Sequence, residues 1–147
     1  MIVKPHHNPA DRVDLHKKVL RDLGAEDKIK IFSPTSNFID LIRISNVVIA
    51  LGSTTALEAI GLKKPLVVVN LLGFKMISQY LEGAVRVYKK EDIYPEVKRI
   101  VNNIDVENSL KETQKKLIKK YLFKTDGQAS RRVVELIEQM CLRRNGE

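Results

Sequence analysis

The segment Asn46–Leu71 reads NVVIALGSTTALEAIGLKKPLVVVNL, and its pattern decides the fold. Asn46–Leu51 and Pro65–Leu71 are continuous apolar runs rich in β-branched residues. Runs of that kind predict strands buried on both faces, which points to parallel strands covered by helices. Between them lie Gly52-Ser53-Thr54-Thr55 and a helical stretch, Ala56 to Leu62. Strand, turn, helix and strand in that order form the repeating unit of a parallel α/β sheet.

The flanking sequence extends the alternation. Met1–Lys4 is a short apolar start, stopped by Pro5 and Pro9. Pro9 opens a helix from Ala10 to Leu23, with Val13, Leu15, Val19, Leu20 and Leu23 apolar and Gly24 as the stop. Lys28–Phe32 alternates charged and apolar residues as a half-exposed strand does, Ser33–Ser36 is a loop, and Asn37–Ile44 is a short helix. Ala84–Tyr88 is a fifth strand, and helices at about 91–103, 108–122 and 128–143 close the chain. The expectation is an α/β layer fold with a mainly parallel sheet of about five strands, closed by C-terminal helices.

Composition narrows the function classes. The 147 residues fit one domain, and 44% hydrophobic with 30% charged residues excludes a disordered chain. Cys141 is the one cysteine, which excludes an internal disulfide framework and a Cys-rich zinc site. A single cysteine fits a reducing compartment, and the expected localisation is cytoplasmic. No apolar run approaches the roughly 18 residues of a membrane span, and Lys4-Pro5-His6-His7 follows Met1-Ile2-Val3 where a signal peptide would continue apolar.

The formal net charge is +8. From Lys111 to Glu147 there are ten Lys or Arg against five acids, and the densest run is Lys115-Lys116-Leu117-Ile118-Lys119-Lys120. A basic helix can track phosphates or an anionic membrane surface. No aromatic interleaving or nucleic-acid motif accompanies this run, so it reads as a solvated lysine face with Leu117, Ile118 and Tyr121 packed inward. No nucleic-acid partner is expected.

Ligands of open parallel sheets sit beyond the carboxyl ends of the strands. Three segments fall there: Lys4 to Pro9, Ser33-Pro34-Thr35-Ser36, and Gly52-Ser53-Thr54-Thr55. The third combines a glycine turn with small hydroxyl residues entering a helix, where backbone N–H groups and the dipole favour an anion such as phosphate. A structural alternative is a capping box, in which Thr55 caps the helix and Glu58 reaches back. It accounts for Thr55 and Glu58 but not for Gly52-Ser53-Thr54. The Gly-x-x-x-x-Gly-Lys-Ser/Thr pattern of a P-loop is absent, and Ser53 lacks the Gly-x-Ser-x-Gly context of a nucleophile elbow. His6 and His7 are adjacent and point in different directions, His16 lies on a helix, and no metal site is expected. Either histidine of the pair can donate to a ligand or exchange a proton near neutral pH, or be an ordinary loop residue.

Lys4-Pro5-His6-His7-Asn8-Pro9, then Asn46 through Ala59, then Lys64-Pro65-Leu66-Val67-Val68-Val69 resemble the C-terminal half of a GT-B enzyme. The similar families are UDP-N-acetylglucosamine 2-epimerases and surface-polysaccharide glycosyltransferases, including the CDP-glycerol glycerophosphotransferase type. Asp126-Gly127-Gln128-Ala129-Ser130-Arg131-Arg132-Val133 resembles the start of the closing helix in some of those transferases. The resemblance implies a Rossmann-like three-layer sandwich that binds the nucleotide diphosphate of a donor, with no other cofactor. By position, Gly52, Ser53, Thr54 and Thr55 would meet the diphosphate and Glu58 the ribose hydroxyls. His6 would face the nucleotide-sugar cleft as the catalytic candidate, and Ser33 and Pro34 would lie near the base, uracil or cytosine.

The sequence departs from the epimerases. Their Asp-Ser-Gly-Gly run and paired glutamates are replaced by Leu51-Gly52-Ser53-Thr54 and Leu57-Glu58. Their Thr-Glu-Arg-Pro segment is replaced by Asn70-Leu71-Leu72-Gly73-Phe74. These departures favour a transferase-type relative. A complete C-terminal GT-B domain also has one more strand and helix before the segment matching Met1–Lys4, and that strand is central in the order 3-2-1-4-5-6. The resemblance thus implies a nucleotide-binding domain, residues 1–147, lacking its first strand-helix unit and its N-terminal partner domain. Such a chain would be inactive alone, would need the missing half or a second chain, and would risk self-association through an exposed strand edge. Three functions remain: the nucleotide-sugar or nucleotide-polyol binding half of a transferase of cell-surface carbohydrate biosynthesis, an epimerase-like fragment, or a non-catalytic nucleotide-binding or assembly module.

Overall fold

The computed structural model describes residues 1–6, 12–51, 53–73 and 82–144. The expected helix opening at Pro9-Ala10, together with His7, Gly52 and Phe74, lies outside the described residues. The chain divides into two compact units, Met1–Ser45 and Asn46–Glu147.

The first unit holds β1 (Ile2–Val3), α1 (Val13–Asp22), β2 (Lys30–Ile31) and α2 (Phe38–Ile44). β1 and β2 pair in parallel, with Ile2 opposite Lys30 and Val3 opposite Ile31. α1 ends as its glycine predicts: Gly24 takes φ +58° and Ala25 N–H donates to Leu20 O at 2.9 Å, a left-handed stop that a Cβ would oppose. Asn37 caps α2 by accepting the Ile39 N–H at 3.1 Å.

The second unit holds β3 (Val48–Ala50), α3 (Thr55–Gly61), β4 (Leu66–Val69), β5 (Val85–Val87), α4 (Ile93–Asn102), α5 (Ile104–Leu117) and α6 (Ala129–Arg144). Its parallel sheet runs β3-β4-β5, with Val48 opposite Leu66 and Val67 opposite Val85. All five expected strands form and every pair is parallel, in sheets of two and three strands.

β4 is central and all four of its residues are buried, as its apolar run requires. Val67 and Val69 cluster with Val87 and Ile100, and Val97, Val106 and Leu110 close around them. Successive strand residues face opposite ways, so Leu66 and Val68 point to the other face. α3 packs on β4 and buries Ala56, Ala59 and Ile60.

Two expectations on packing are corrected. β3 is not covered on both faces: Ile49 is 40% exposed and Leu51 75%. The reason is position. β3 is an edge strand with no second partner among the described residues, whereas β4 is flanked on both sides. The last helix does not close the unit either. Val133, Leu136, Ile137, Met140 and Leu142 of α6 are all more than half exposed. Within the basic run Leu117 is buried and Ile118 half-buried as expected, but Tyr121 is exposed.

α5 begins at Ile104, earlier than its hydrophobic spacing indicates, because Asn103 accepts the N–H groups of Asp105 and Val106 at 3.0 and 3.3 Å. Its far end packs on Gly83. A Cβ at Gly83 would stand 2.8 Å from Leu117 Cδ1 and 2.9 Å from Gln114 Cγ, closer than real contacts allow. Gly83→Ala is therefore expected to cost about 1–3 kcal/mol by overpacking, read as a lower urea midpoint at unchanged m-value.

Candidate functional site

Four of the expected binding residues lie on one turn of the second unit. Ser53 and Thr54 precede α3, Thr55 opens it, and Glu58 lies one turn further. A helix brings positions three and four apart to one face, so Glu58 shares a face with Thr54 and Thr55. Side chains on a helix lean toward its N-terminus, which aims Glu58 at that turn.

The hydrogen bonds differ from the expected capping box. Thr54 occupies the N-cap position and its side chain makes no cap hydrogen bond; Ser53, one residue earlier, accepts the Thr55 N–H on its Oγ at 3.2 Å and lies 3.0 Å from Thr55 Oγ1. Ala56 N–H donates to Ser53 O at 3.1 Å and Leu57 N–H to Thr54 O at 2.8 Å. The first-turn N–H groups of Thr55, Ala56 and Leu57 are thus already engaged within the turn. An anion arriving here would meet the hydroxyl of Thr54, which is exposed, before those groups.

Glu58 does not reach back to Thr55. Its Oε2 is buried and has no hydrogen-bond partner among the described residues. A carboxylate oxygen out of water with no donor is costly, and native proteins satisfy nearly all such atoms. An unsatisfied acceptor one turn from a cluster of hydroxyls fits a ligand that brings its own donors.

The other expected residues belong to the first unit. His6 is exposed and follows β1 after the buried Pro5. Ser33 and Pro34 follow β2. Since β1 and β2 are parallel, both loops leave the same end of that sheet. The Ser33 loop repeats the local motif of the α3 turn: Ser33 Oγ accepts the Thr35 N–H at 3.2 Å and lies 2.8 Å from Thr35 Oγ1. Thr35 thus joins Ser33 at the loop surface. The shared Ser-x-Thr spacing was the available sequence signal for it. Gly52 is outside the described residues.

Neither of two cavities touches these residues. One of about 570 Å³ in the first unit is lined by Met1, Leu20, Lys28 and Ile31 among others, at the start of the strands. One of about 370 Å³ in the second unit is lined by Lys63, Lys115, Ile118, Lys124, Thr125 and Asp126. Among the described residues no group of three His, Cys, Asp or Glu could hold a metal ion, and no helix is long and apolar enough to cross a membrane.

No family model matches the chain, and neither a curated protein nor a solved structure is significantly similar to it. What the geometry defines directly is a class: an α/β protein with parallel strands, carrying a hydroxyl-rich strand-to-helix turn backed by a buried, unpartnered carboxylate oxygen.

Proposed function

We propose that the chain is the nucleotide-binding half of a GT-B type transferase of cell-surface carbohydrate biosynthesis. It would take the nucleoside diphosphate of a sugar or polyol donor, UDP or CDP, and work in the cytoplasm. The observation that carries this reading is the buried, unpartnered Oε2 of Glu58 beside the Ser53–Thr55 turn. A ribose supplies two adjacent hydroxyl donors for such a carboxylate, and a diphosphate suits the hydroxyls one turn away. Ser53, Thr54 and Thr55, with Gly52, would meet the diphosphate.

The strand pairing supports the same reading. In the order 3-2-1-4-5-6, removing the first strand leaves one pair and one triplet of parallel strands. The pairings β1-β2 and β3-β4-β5 have that pattern. On this reading the parallel strands belong to a Rossmann-like three-layer sandwich. The open edge of β3, with Ile49 and Leu51 exposed, is then a seam for pairing or self-association. His6 is the catalytic candidate of this reading, a hydrogen-bond donor that would stabilise charge as it develops.

Amide chemical-shift titration of the chain with UDP, CDP and their sugar or glycerol conjugates tests the binding claim. The expected result is saturable shifts at Ser53–Leu57. Shifts confined to other residues, or none, would reject it.

A further inference from the structure

The 370 Å³ cavity of the second unit lies at the other end of α3 from the Ser53–Thr55 turn. The seven residues of α3 separate the two by about 10 Å of helix. Lys63 enters the cavity from the turn between α3 and β4, Lys115 and Ile118 from the end of α5, and Lys124, Thr125 and Asp126 from the turn before α6.

Three uncommon backbone features surround this cavity. The two non-glycine residues with positive φ among the described residues are Lys63, at +55°, and Phe123, at +59°. Lys63 holds the left-handed position just after a helix, where Lys64 N–H donates to Ala59 O at 2.9 Å and glycine would cost less. Phe123, with ψ −68°, forms the rare positive-φ γ-turn, in which Lys124 N–H donates to Leu122 O at 2.6 Å. Between α5 and that turn, Ile118–Leu122 is wound as a π-helix, a form that recurs at functional sites. Strain of this sort persists where the surrounding structure holds it, and it gathers at binding sites.

The charges in the walls do not cancel. Lys115 is paired with Glu112 at 2.5 Å. Asp126 is committed elsewhere: it accepts the Gln128 N–H at 3.0 Å and both of its oxygens lie 2.9 Å from Arg132 Nη1. The backbone N–H first and Arg132 second hold its carboxyl below the usual range, so it is ionised but neutralised. Lys63 and Lys124 face the cavity with no carboxylate in ion-pair range among the described residues. Lys124 Nζ sits 5.2 Å from the centre of the Phe123 ring, which steadies it without cancelling its charge. Thr125 adds a hydroxyl donor.

We propose that this cavity is a second anion site, in which Lys63, Lys124 and Thr125, helped by Lys115, bind a soluble ligand bearing a phosphate or diphosphate. Lysine ammoniums are point-charge donors suited to phosphate oxygens. The volume lies within the range of small-molecule sites and accommodates a diphosphate with a compact attachment.

The test is amide chemical-shift titration of the whole chain with pyrophosphate and with inorganic phosphate, at about 0.1 M salt. Pyrophosphate is expected to shift Lys63, Lys115, Lys124 and Thr125 saturably. Lys124→Gln should weaken binding about tenfold. Lys63→Gly relieves the left-handed strain, so it should keep or raise the melting temperature while weakening binding by a similar factor. That opposition separates a lost ligand contact from a lost fold. The shifts at Lys63, Lys115, Lys124 and Thr125 are read separately from any at Ser53–Leu57, so the second site stands or falls independently of the nucleotide turn. Undiminished pyrophosphate shifts at Lys115 and Thr125 in the Lys63→Gly, Lys124→Gln double variant would overturn the proposal. So would no binding by the parent chain in a large excess of pyrophosphate, or binding only to vesicles rich in phosphatidic acid.

Discussion

Replacing Gln114 with leucine is expected to destabilise the protein by about 2–4 kcal/mol, although a side chain of similar volume is kept. Gln114 is fully buried on α5. Its Nε2 donates to Lys64 O at 2.9 Å and to Gly83 O at 3.0 Å. Those carbonyls stand at the entries to β4 and β5, so one amide ties the helix to the start of two neighbouring strands. Leucine takes this donor away from the buried Gly83 carbonyl and from the part-buried Lys64 carbonyl, and a buried acceptor that loses its donor costs about 1–3 kcal/mol. Part of that cost is offset, because the Oε1 of Gln114 is itself buried without a partner among the described residues, and leucine removes it. Urea denaturation reads the result directly. An unchanged midpoint would show that neither carbonyl depends on Gln114.

Replacing Glu58 with glutamine or alanine is expected to act in the opposite sense. Glu58 Oε2 makes no hydrogen bond among the described residues, so its removal deletes none and takes away a buried acceptor that has no donor. The melting temperature should hold or rise. Nucleotide affinity should fall about 10- to 100-fold, the loss associated with a charged acceptor of one or two hydroxyl groups. Destabilisation without loss of affinity would make Glu58 a structural residue and remove the ribose assignment. The contrast with Gln114 is between a polar group spent on the fold and one left over by it.

Much of the second unit was legible because its signals are local. β4 is a run of four apolar residues, and only a central strand can bury all of them. Ala84–Tyr88 resolved into β5 for the same reason. The cap of α3 was misread because Ser53, Thr54 and Thr55 all offer a hydroxyl. Sequence spacing offered the Thr55–Glu58 pair, but the backbone places Thr54 at the cap and the Ser53 hydroxyl accepts the Thr55 N–H. The early start of α5 was hidden because Asn103 acts through hydrogen bonds to Asp105 and Val106, which hydrophobic period does not register. The Gln114 bonds span 50 and 31 residues, and no window of sequence reveals such a tie. Nor does composition reveal that the lysines at 63, 115 and 124 line one cavity, since they come from the turn after α3, the end of α5 and the γ-turn before α6. The basic run near 115–120 read as a solvated face, and that holds for Lys116, Lys119 and Lys120, which are exposed.

The apolar stripe of α6 marks the other limit. Val133, Ile137 and Met140 recur at helical spacing and predict a buried face, yet that face is exposed. Periodicity shows that a helix has an apolar side. It does not say which surface covers it.

The central claim is that the turn from Ser53 to Glu58 holds a nucleoside diphosphate. The most direct measurement is amide chemical-shift titration of the chain with UDP and CDP, in the parent and in Glu58→Gln. The account predicts saturable shifts at Ser53, Thr54, Thr55 and Leu57 with one of the two nucleotides, weakened at least tenfold in the variant. Absence of shifts at those residues with both nucleotides, or equal affinity in parent and variant, would contradict it.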